Sequence, residues 1–370
     1  MILLVSTGNR EGAQHALMKV FTLGDREAAP SKSAFCKFRK KISWEWFRDC
    51  LSVLIKQGSN LQSRWEGMKI YAIDGQQLTL PRSKDIIDNN FTGRATGKFR
   101  DTYMPKGYLT HLYDVLTGLT KQITLNPTLN EQADALSLLE HVEEGSLVLY
   151  DRLYFNHKLV DRHFKLGLRF VMRCRSNANK AIQAFFRSNK SHGSTKVEGK
   201  TIYLVKVKHP GSNDFMIIAT NLPRSLRSPK SLAQLYRCRW EIELSFRELT
   251  DQTRTEQWHS KSLNGIKQEL YTQLWLINYT KMNMAMAGQR PCQPQQKSYK
   301  KANFKLCYQF VVHYIGLAFD SLSYLFSYLR PVVKYSTERR KHFSRMYKRE
   351  IKSPASPYSH YGSNWYWELN

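Results

Sequence analysis

The sequence is poor in acid. Asp and Glu number 30 against 57 Lys and Arg, a formal charge of +27 over 370 residues. With a pI near 9.8, such a surface attracts polyanions, nucleic acid first and anionic membrane second. Cysteine is scarce. The six are Cys36, Cys50, Cys174, Cys238, Cys292 and Cys307. No two stand at C-x-x-C spacing, which argues against a zinc ribbon, and they are too sparse for a secreted disulfide scaffold. They read as reduced thiols of a cytosolic protein, most of them small buried apolar side chains. The sequence has no G-x-x-x-x-G-K-[ST], no H-E-x-x-H and no G-x-S-x-G. Histidines are scattered singly, so no catalytic triad can be argued from them. Long apolar runs are missing too, and the mean hydropathy is −0.51. The apolar start, MILLV, is too short for a signal peptide and no charged segment precedes it. The stretch 311–329 holds His313 and Asp320, so it reads as a buried helix and not as a membrane span.

Apolar residues make up 42% of the chain, enough for a sizeable core. The segment from Ser31 to Ile55 has helix-like spacing and a basic cluster, Lys37, Arg39, Lys40 and Lys41, of a kind that can lie on DNA. From residue 69 strands are expected. KIYAID (69–74) and QLTLP (77–81) read as two strands around a tight turn at Gly75-Gln76. A polar loop over 85–101 carries Arg94, Lys98 and Arg100. Then come a strand over 108–117 ended by Gly118, a helix over 130–142, an apolar strand at 146–151, a helix over 156–166 and a strand at 168–174. Residues 176–213 are polar and basic, with an alternating strand at 201–208, and another strand follows at 214–220. These strands look inserted into an otherwise alternating core. A long helix is expected from Ser228 through Glu248 and another over 264–284. The tail, 331–370, is basic and its end reads as poorly ordered.

Three pieces of this pattern carry chemistry. Asp74 and Asp151 each follow a short apolar strand, where sheets with packed helices gather their sites. The third piece is YRCRWEIELSFRELT, residues 236–250. Taking Tyr236 as the origin of a helical wheel, Arg239 falls at about 300°, Glu243 at about 340° and Arg247 at about 20°. These four share a face, whereas Glu241 and Glu248 point elsewhere. Glu243 is therefore the carboxylate among Arg and Tyr. An amphipathic helix with ion pairs on its wet face would account for the same spacing.

Together the pieces resemble the DDE transposases of bacterial insertion sequences, in particular the type-four group with its Tyr-Arg-Glu-Lys motif. Tyr236, Arg239 and Glu243 match its first three positions, Ile73-Asp74-Gly75 its first catalytic strand, and Asp151-Arg152-Leu153-Tyr154-Phe155 its second motif. The resemblance runs from about Ser31 to Met284. Where the family has Lys, this chain has Thr250, which carries no charge; Arg247 lies on nearly the same face.

The resemblance implies an α/β fold with a ribonuclease H-like core, a mixed sheet with flanking helices. The interval from Asp151 to Glu243 is too long for a simple core of that kind, so a β insertion is expected over about 176–220. Three parts follow: a helical DNA-binding region at 1–66, the catalytic domain at 67–284, and a basic helical region with a tail at 285–370. The implied activity is two-metal phosphodiester cleavage and strand transfer, with Asp74 bridging two Mg²⁺ ions (Mn²⁺ as a substitute) and Asp151 and Glu243 each holding one side. Tyr236, Arg239, Arg247 and Arg152 would contact DNA phosphates. Transposon ends and target DNA are the implied partners, bound by a homodimer, with no membrane, in the nucleoid-associated bacterial cytoplasm. Two alternatives remain at this stage: a DNA-binding remnant impaired at Thr250, and a basic membrane-surface or RNA-associated protein without a carboxylate site. With a charge of +27, affinity for duplex DNA should fall steeply as salt rises, because each Lys or Arg that meets a phosphate releases a counterion. A log–log salt titration checks this; a flat profile would contradict it.

Overall fold

A computed structural model describes residues 30–58, 64–93, 102–208, 214–253, 255–286, 298–314, 322–341, 345–347 and 366–368. The N-terminal 29 residues, Arg94, Lys98 and Arg100 of the polar loop, and most of the tail lie outside the described residues.

The apolar runs assemble into one eight-stranded mixed sheet. Strand β1 (Ile70–Thr79) pairs antiparallel with β2 (Lys106–Asp114), and β2 pairs antiparallel with β3 (Leu119–Asn126). On its other side β1 meets β4 (Leu147–Tyr150) in parallel, and β4 meets β5 (Arg169–Cys174) in parallel. Three antiparallel strands extend the sheet: β6 (His192–Val197), β7 (Lys200–Lys208) and β8 (Phe215–Thr220). The order is β3-β2-β1-β4-β5-β8-β7-β6, so the additional strands lengthen the same sheet.

Helices cover both faces. Side-chain alternation sends Tyr71, Ile73, Val148, Tyr150 and Phe170 to one face. There they pack on α4 (Glu131–Leu138), α5 (His157–Lys165) and α6 (Lys180–Arg187). Asn130, Asn156 and Asn179 cap these helices by accepting from the backbone N–H three residues on. The opposite face, with Ile70, Ala72, Leu147 and Leu149, packs on Leu232, Leu235, Cys238 and Ile242. Those come from α7 (Pro229–Cys238) and α8 (Trp240–Arg247). Ser228 caps α7 and Pro229 opens it, a position where no N–H is needed.

A third apolar cluster sits where β1, β2 and β3 meet α1 (Lys32–Lys41), α2 (Trp44–Gln57) and the short α3 (Lys84–Asp88). The long α9 (Leu263–Met286) runs through it and is buried along most of its length. α9 also satisfies the edge strand: Asn278 accepts from Thr120 N–H at 3.0 Å and donates to Thr120 C=O at 2.8 Å. Two further helices, α10 (Phe304–Tyr314) and α11 (Leu322–Tyr335), pack against it. They take up the two ends of the stretch 311–329 expected to be one helix; 315–321 lie outside the described residues. Among the described residues no helix is long and apolar enough to cross a membrane.

Several elements differ from expectation. β1 runs straight through Gly75 and Gln76, which pair with Thr110 and Leu109, so there is no turn there. The strand read over 108–117 ends at Asp114, whose carboxylate accepts from Leu116 and Thr117 N–H to form a turn closed by Gly118 at φ 77°. β3 was hidden because its polar Lys121 and Gln122 obscure the alternation. The helix read over 31–55 breaks at Ile42 and Ser43, where Ser43 caps a new helix. Arg39, read with the DNA-facing cluster, instead turns inward. It donates to Gln268 at 2.7 Å and pairs with the buried Glu269 at 2.8 Å. Lys37, Lys40 and Lys41 remain exposed.

Two histidines are locked inside. His163 Nε2 lies 2.9 Å from the Tyr150 hydroxyl, and His111 packs edge-on against Phe246. Burial lowers both to about 3 from an ordinary 6.5; Lys281 adds to the effect at His111. Both stay neutral in the fold while the unfolded chain takes up protons below 6.5. Stability should therefore fall as pH drops through this range, by about 2 kcal/mol per histidine at pH 5. Urea midpoints at pH 7 and pH 5 check this, and His163→Phe should lessen the acid loss. An equal loss in the variant would contradict it.

Candidate active site

The register between β1 and β4 sets the first two carboxylates side by side. Ile70 pairs with Leu147, Tyr71 with Val148 and Ala72 with Leu149. Continuing that register puts Asp74 beside Asp151. β4 stops at Tyr150, while β1 runs on to Thr79 alongside β2. Asp74 is therefore a mid-strand residue and not a strand end, and it opens outward because its parallel neighbour has ended.

Glu131, the first residue of α4, reaches the strand at Gly75: a Cβ there would lie 3.0 Å from Glu131 Oε1, a tight contact to which this flexible side chain would have to give by a few tenths of an ångström. Glu131 is thereby a further carboxylate of the cluster, close enough for its charge to act on Asp74. Its sequence offered no sign of this beyond a place in the first turn of a helix.

The third side of the site comes from α7 and α8. The expected continuous helix is interrupted at Arg239, which links the two while keeping helical φ and ψ of −54° and −30°. The wheel's face survives this break. The Tyr236 hydroxyl donates to Asp151 Oδ1 at 3.0 Å. Arg239 donates from Nη1 to Asp74 Oδ2 at 2.8 Å and from Nη2 to Glu243 Oε1 at 2.6 Å. Glu241, on another side of the helix by its spacing, is buried. The structure thus gathers Asp74, Asp151, Tyr236, Arg239 and Glu243.

The remaining expected residues lie around them. Arg247 ends α8, is exposed, and its charge acts on Glu243. Arg152 donates its backbone N–H to Asp151, and its exposed side chain lines an adjacent cleft of 590 Å³. Arg173 and Arg175 line the same cleft with Phe186 and Phe215, and the sequence reading did not single them out. Arg-x-Arg at the end of an apolar strand was the available signal. Thr250 falls in a π-helical turn, Glu248–Gln252, where its hydroxyl donates to Phe246 C=O and Asp251 Oδ1, each at 3.0 Å.

Crowded carboxylates shift one another. Burial pushes Asp74 up to about 7, against the pull of Arg239, with Asp151, Glu243 and Glu131 adding to the rise. Burial likewise raises Glu243, partly offset by Arg239. At Asp151 burial also acts upward, but Arg239, the Arg152 N–H and the Tyr236 hydroxyl outweigh it and hold its carboxyl below the usual range. Burial opposes the charge of Arg239, yet Tyr236 and the carboxylates raise its pKa, so it stays protonated. Among the described residues no group of three or more His, Cys, Asp or Glu is spaced to hold a metal ion as it stands.

The fold holds a proton on Asp74 up to about pH 7, whereas the unfolded chain releases it near 3.8. Ionised Asp74 thus costs stability, increasingly so as pH rises between those values. Asp74→Asn should raise neutral-pH stability on the order of 2 kcal/mol, less than the full shift amounts to because Arg239 also loses a partner. The gain should vanish near pH 4. Thermal unfolding of both proteins across pH checks this; a variant destabilised at pH 8 would contradict it.

The transposase DDE domain family matches residues 65–279. Among solved structures the chain is similar to piggyBac transposase, seen by cryo-electron microscopy in a synaptic complex with hairpin DNA. The TM-score is 0.40 at 12% identity, over 77% of this chain and 60% of that one. The chain thus spans less than two thirds of that transposase's length. No curated protein matches it. The family match spans β1, β4 and α8 and takes in Asp74, Asp151 and Glu243 together. It covers more than half of the 370 residues, and the chain belongs to the transposase DDE domain family.

Proposed function

We propose that the chain is a DNA transposase of a bacterial insertion sequence, of the type-four group, with Asp74, Asp151 and Glu243 as its reactive carboxylates. The observation that carries this reading is their convergence. Two adjacent parallel strands supply the aspartates, and one arginine ties the helix-borne glutamate to them. A ribonuclease H-like core is supported by the order β3-β2-β1-β4-β5, with the first three strands antiparallel and the last two parallel to β1. In this reading residues 67–284 are the catalytic domain, 176–220 its insertion, 1–66 a DNA-binding region and 285–370 a basic region. The protein works as a homodimer on transposon ends and target DNA, in the cytoplasm at the nucleoid.

The donor set suits Mg²⁺ or Mn²⁺: Asp74, Asp151 and Glu243, with Glu131 nearby, offer hard oxygens and no soft ligand. These residues would hold the ions. Bound there, a pair of ions supplies an activated oxygen nucleophile and stabilises the leaving oxygen of an in-line displacement at phosphorus. The protein's own groups do the rest. Tyr236 keeps Asp151 ionised and oriented by donating to it. Arg239 and Arg247 present positive charge to a phosphate beside Glu243. Arg152, Arg173 and Arg175 line a cleft next to Asp151 and would position the phosphates of a nucleic-acid backbone there.

Thr250 favours a second reading, a DNA-binding remnant that no longer cuts. Its hydroxyl is committed within its own turn and it brings no charge to the site. Supercoiled plasmid incubated with the protein and Mg²⁺ or Mn²⁺ separates the two. Metal-dependent nicking is expected, reduced at least about a hundredfold by Asp151→Ala while DNA affinity is retained. Binding without nicking, unaffected by the substitution, would favour the remnant.

A further inference from the structure

Arg239 stands where a metal ion's charge would be needed. Its guanidinium bridges Asp74 Oδ2 at 2.8 Å and Glu243 Oε1 at 2.6 Å. The residue is 8% exposed, so these are buried, charge-assisted bonds from a donor that does not deprotonate. Of its five N–H donors, the one on Nε is buried without a partner. The fork is therefore incompletely used. Phosphate can accept from a guanidinium in the same bidentate geometry as a carboxylate. The cluster is also reachable: the side chains of Asp74 and Glu243 are 18% and 30% exposed.

We infer that Arg239 is the resident counter-ion of the carboxylate cluster and keeps it closed to divalent cations until a phosphodiester of bound DNA draws the guanidinium away. This rests on the carboxylate reading above and deepens it. A cation binding Asp74 Oδ2 and Glu243 Oε1 competes with Arg239, because the two positive groups draw on the same oxygens. Once Arg239 pairs with a phosphate, Asp74 and Glu243 lose their compensating charge in a largely buried site. A divalent ion then becomes the favoured replacement. DNA and metal bind with positive coupling, and the coupling is reciprocal. The arrangement withholds the metal until substrate is in place.

The test is a Mn²⁺ titration of the full chain, followed by the electron paramagnetic resonance signal of free Mn²⁺, with and without a short DNA duplex. Wild-type protein should bind Mn²⁺ about tenfold more tightly with the duplex than without it. Arg239→Gln removes the charge but keeps donors for the carboxylates. It should bind Mn²⁺ about tenfold more tightly than wild type without DNA, and gain nothing from DNA. Arg239→Lys, which keeps a cation, should stay near wild type. Equal or weaker Mn²⁺ binding by a folded Arg239→Gln overturns the inference, as does a wild-type affinity that the duplex leaves unchanged. Should Arg239→Gln not fold, the wild-type comparison with and without duplex decides alone. Failure of the underlying carboxylate reading has a different signature: Asp151→Asn would leave Mn²⁺ binding by the DNA-bound protein unaltered.

Discussion

One guanidinium holds the candidate site together. Asp74 belongs to the sheet and Glu243 to a helix packed on its face, and their carboxylates share Arg239 as a common donor. Without a cation between them, a mid-strand aspartate and a helical glutamate this close would repel each other in a poorly solvated pocket. The rest of the arrangement follows from having to meet at that point. The parallel pairing of β1 and β4 delivers Asp151 next to Asp74. The apolar ridge Leu232, Leu235, Cys238 and Ile242 seats α7 and α8 on the correct face. Tyr236 then fills the gap to Asp151.

The site is costly to the fold, and the fold compensates elsewhere. Asp74 sits in an environment that disfavours its charge. Fully buried apolar layers on both faces of the sheet, and the buried helix α9 beyond its edge, supply the stability that the site withdraws. Polar groups within them are paired across long stretches of chain, as with Asn278 on Thr120 and Arg39 on Glu269. That division, a rigid apolar frame around a crowded polar end, is what a site needs if its carboxylates must keep their places when a ligand changes their charge.

Much of the site was legible in the sequence because it is local. Helical spacing alone put Tyr236, Arg239 and Glu243 on one face, and Asp151 stood out after a short apolar run. The break at Arg239 could not be read, since neither glycine nor proline marks it. Gly75 misled for a physical reason. In sequence a glycine beside polar residues signals a turn, but here it lies within β1, paired with Thr110 and close to Glu131, neighbours remote in the chain. Glu131 escaped for the same reason, whereas Arg173 and Arg175 had a local signal, Arg-x-Arg at a strand end, that gave no hint of the cleft they line. The edge strand β3 was invisible because Lys121 and Gln122 break its alternation, and the Asn278 that bonds its Thr120 lies on a helix far along the chain. The inward turn of Arg39 was not legible because the acidic partner that draws it in, Glu269, is equally remote.

The most direct measurement is the location of Mn²⁺ by anomalous scattering in crystals of the protein bound to duplex DNA. The proposed chemistry predicts metal density within about 2.2 Å of carboxylate oxygens of both Asp74 and Asp151, with Glu243 released from Arg239 and the guanidinium on a phosphate. Metal bound elsewhere, or Arg239 still bridging Asp74 and Glu243 with DNA in place, would contradict it.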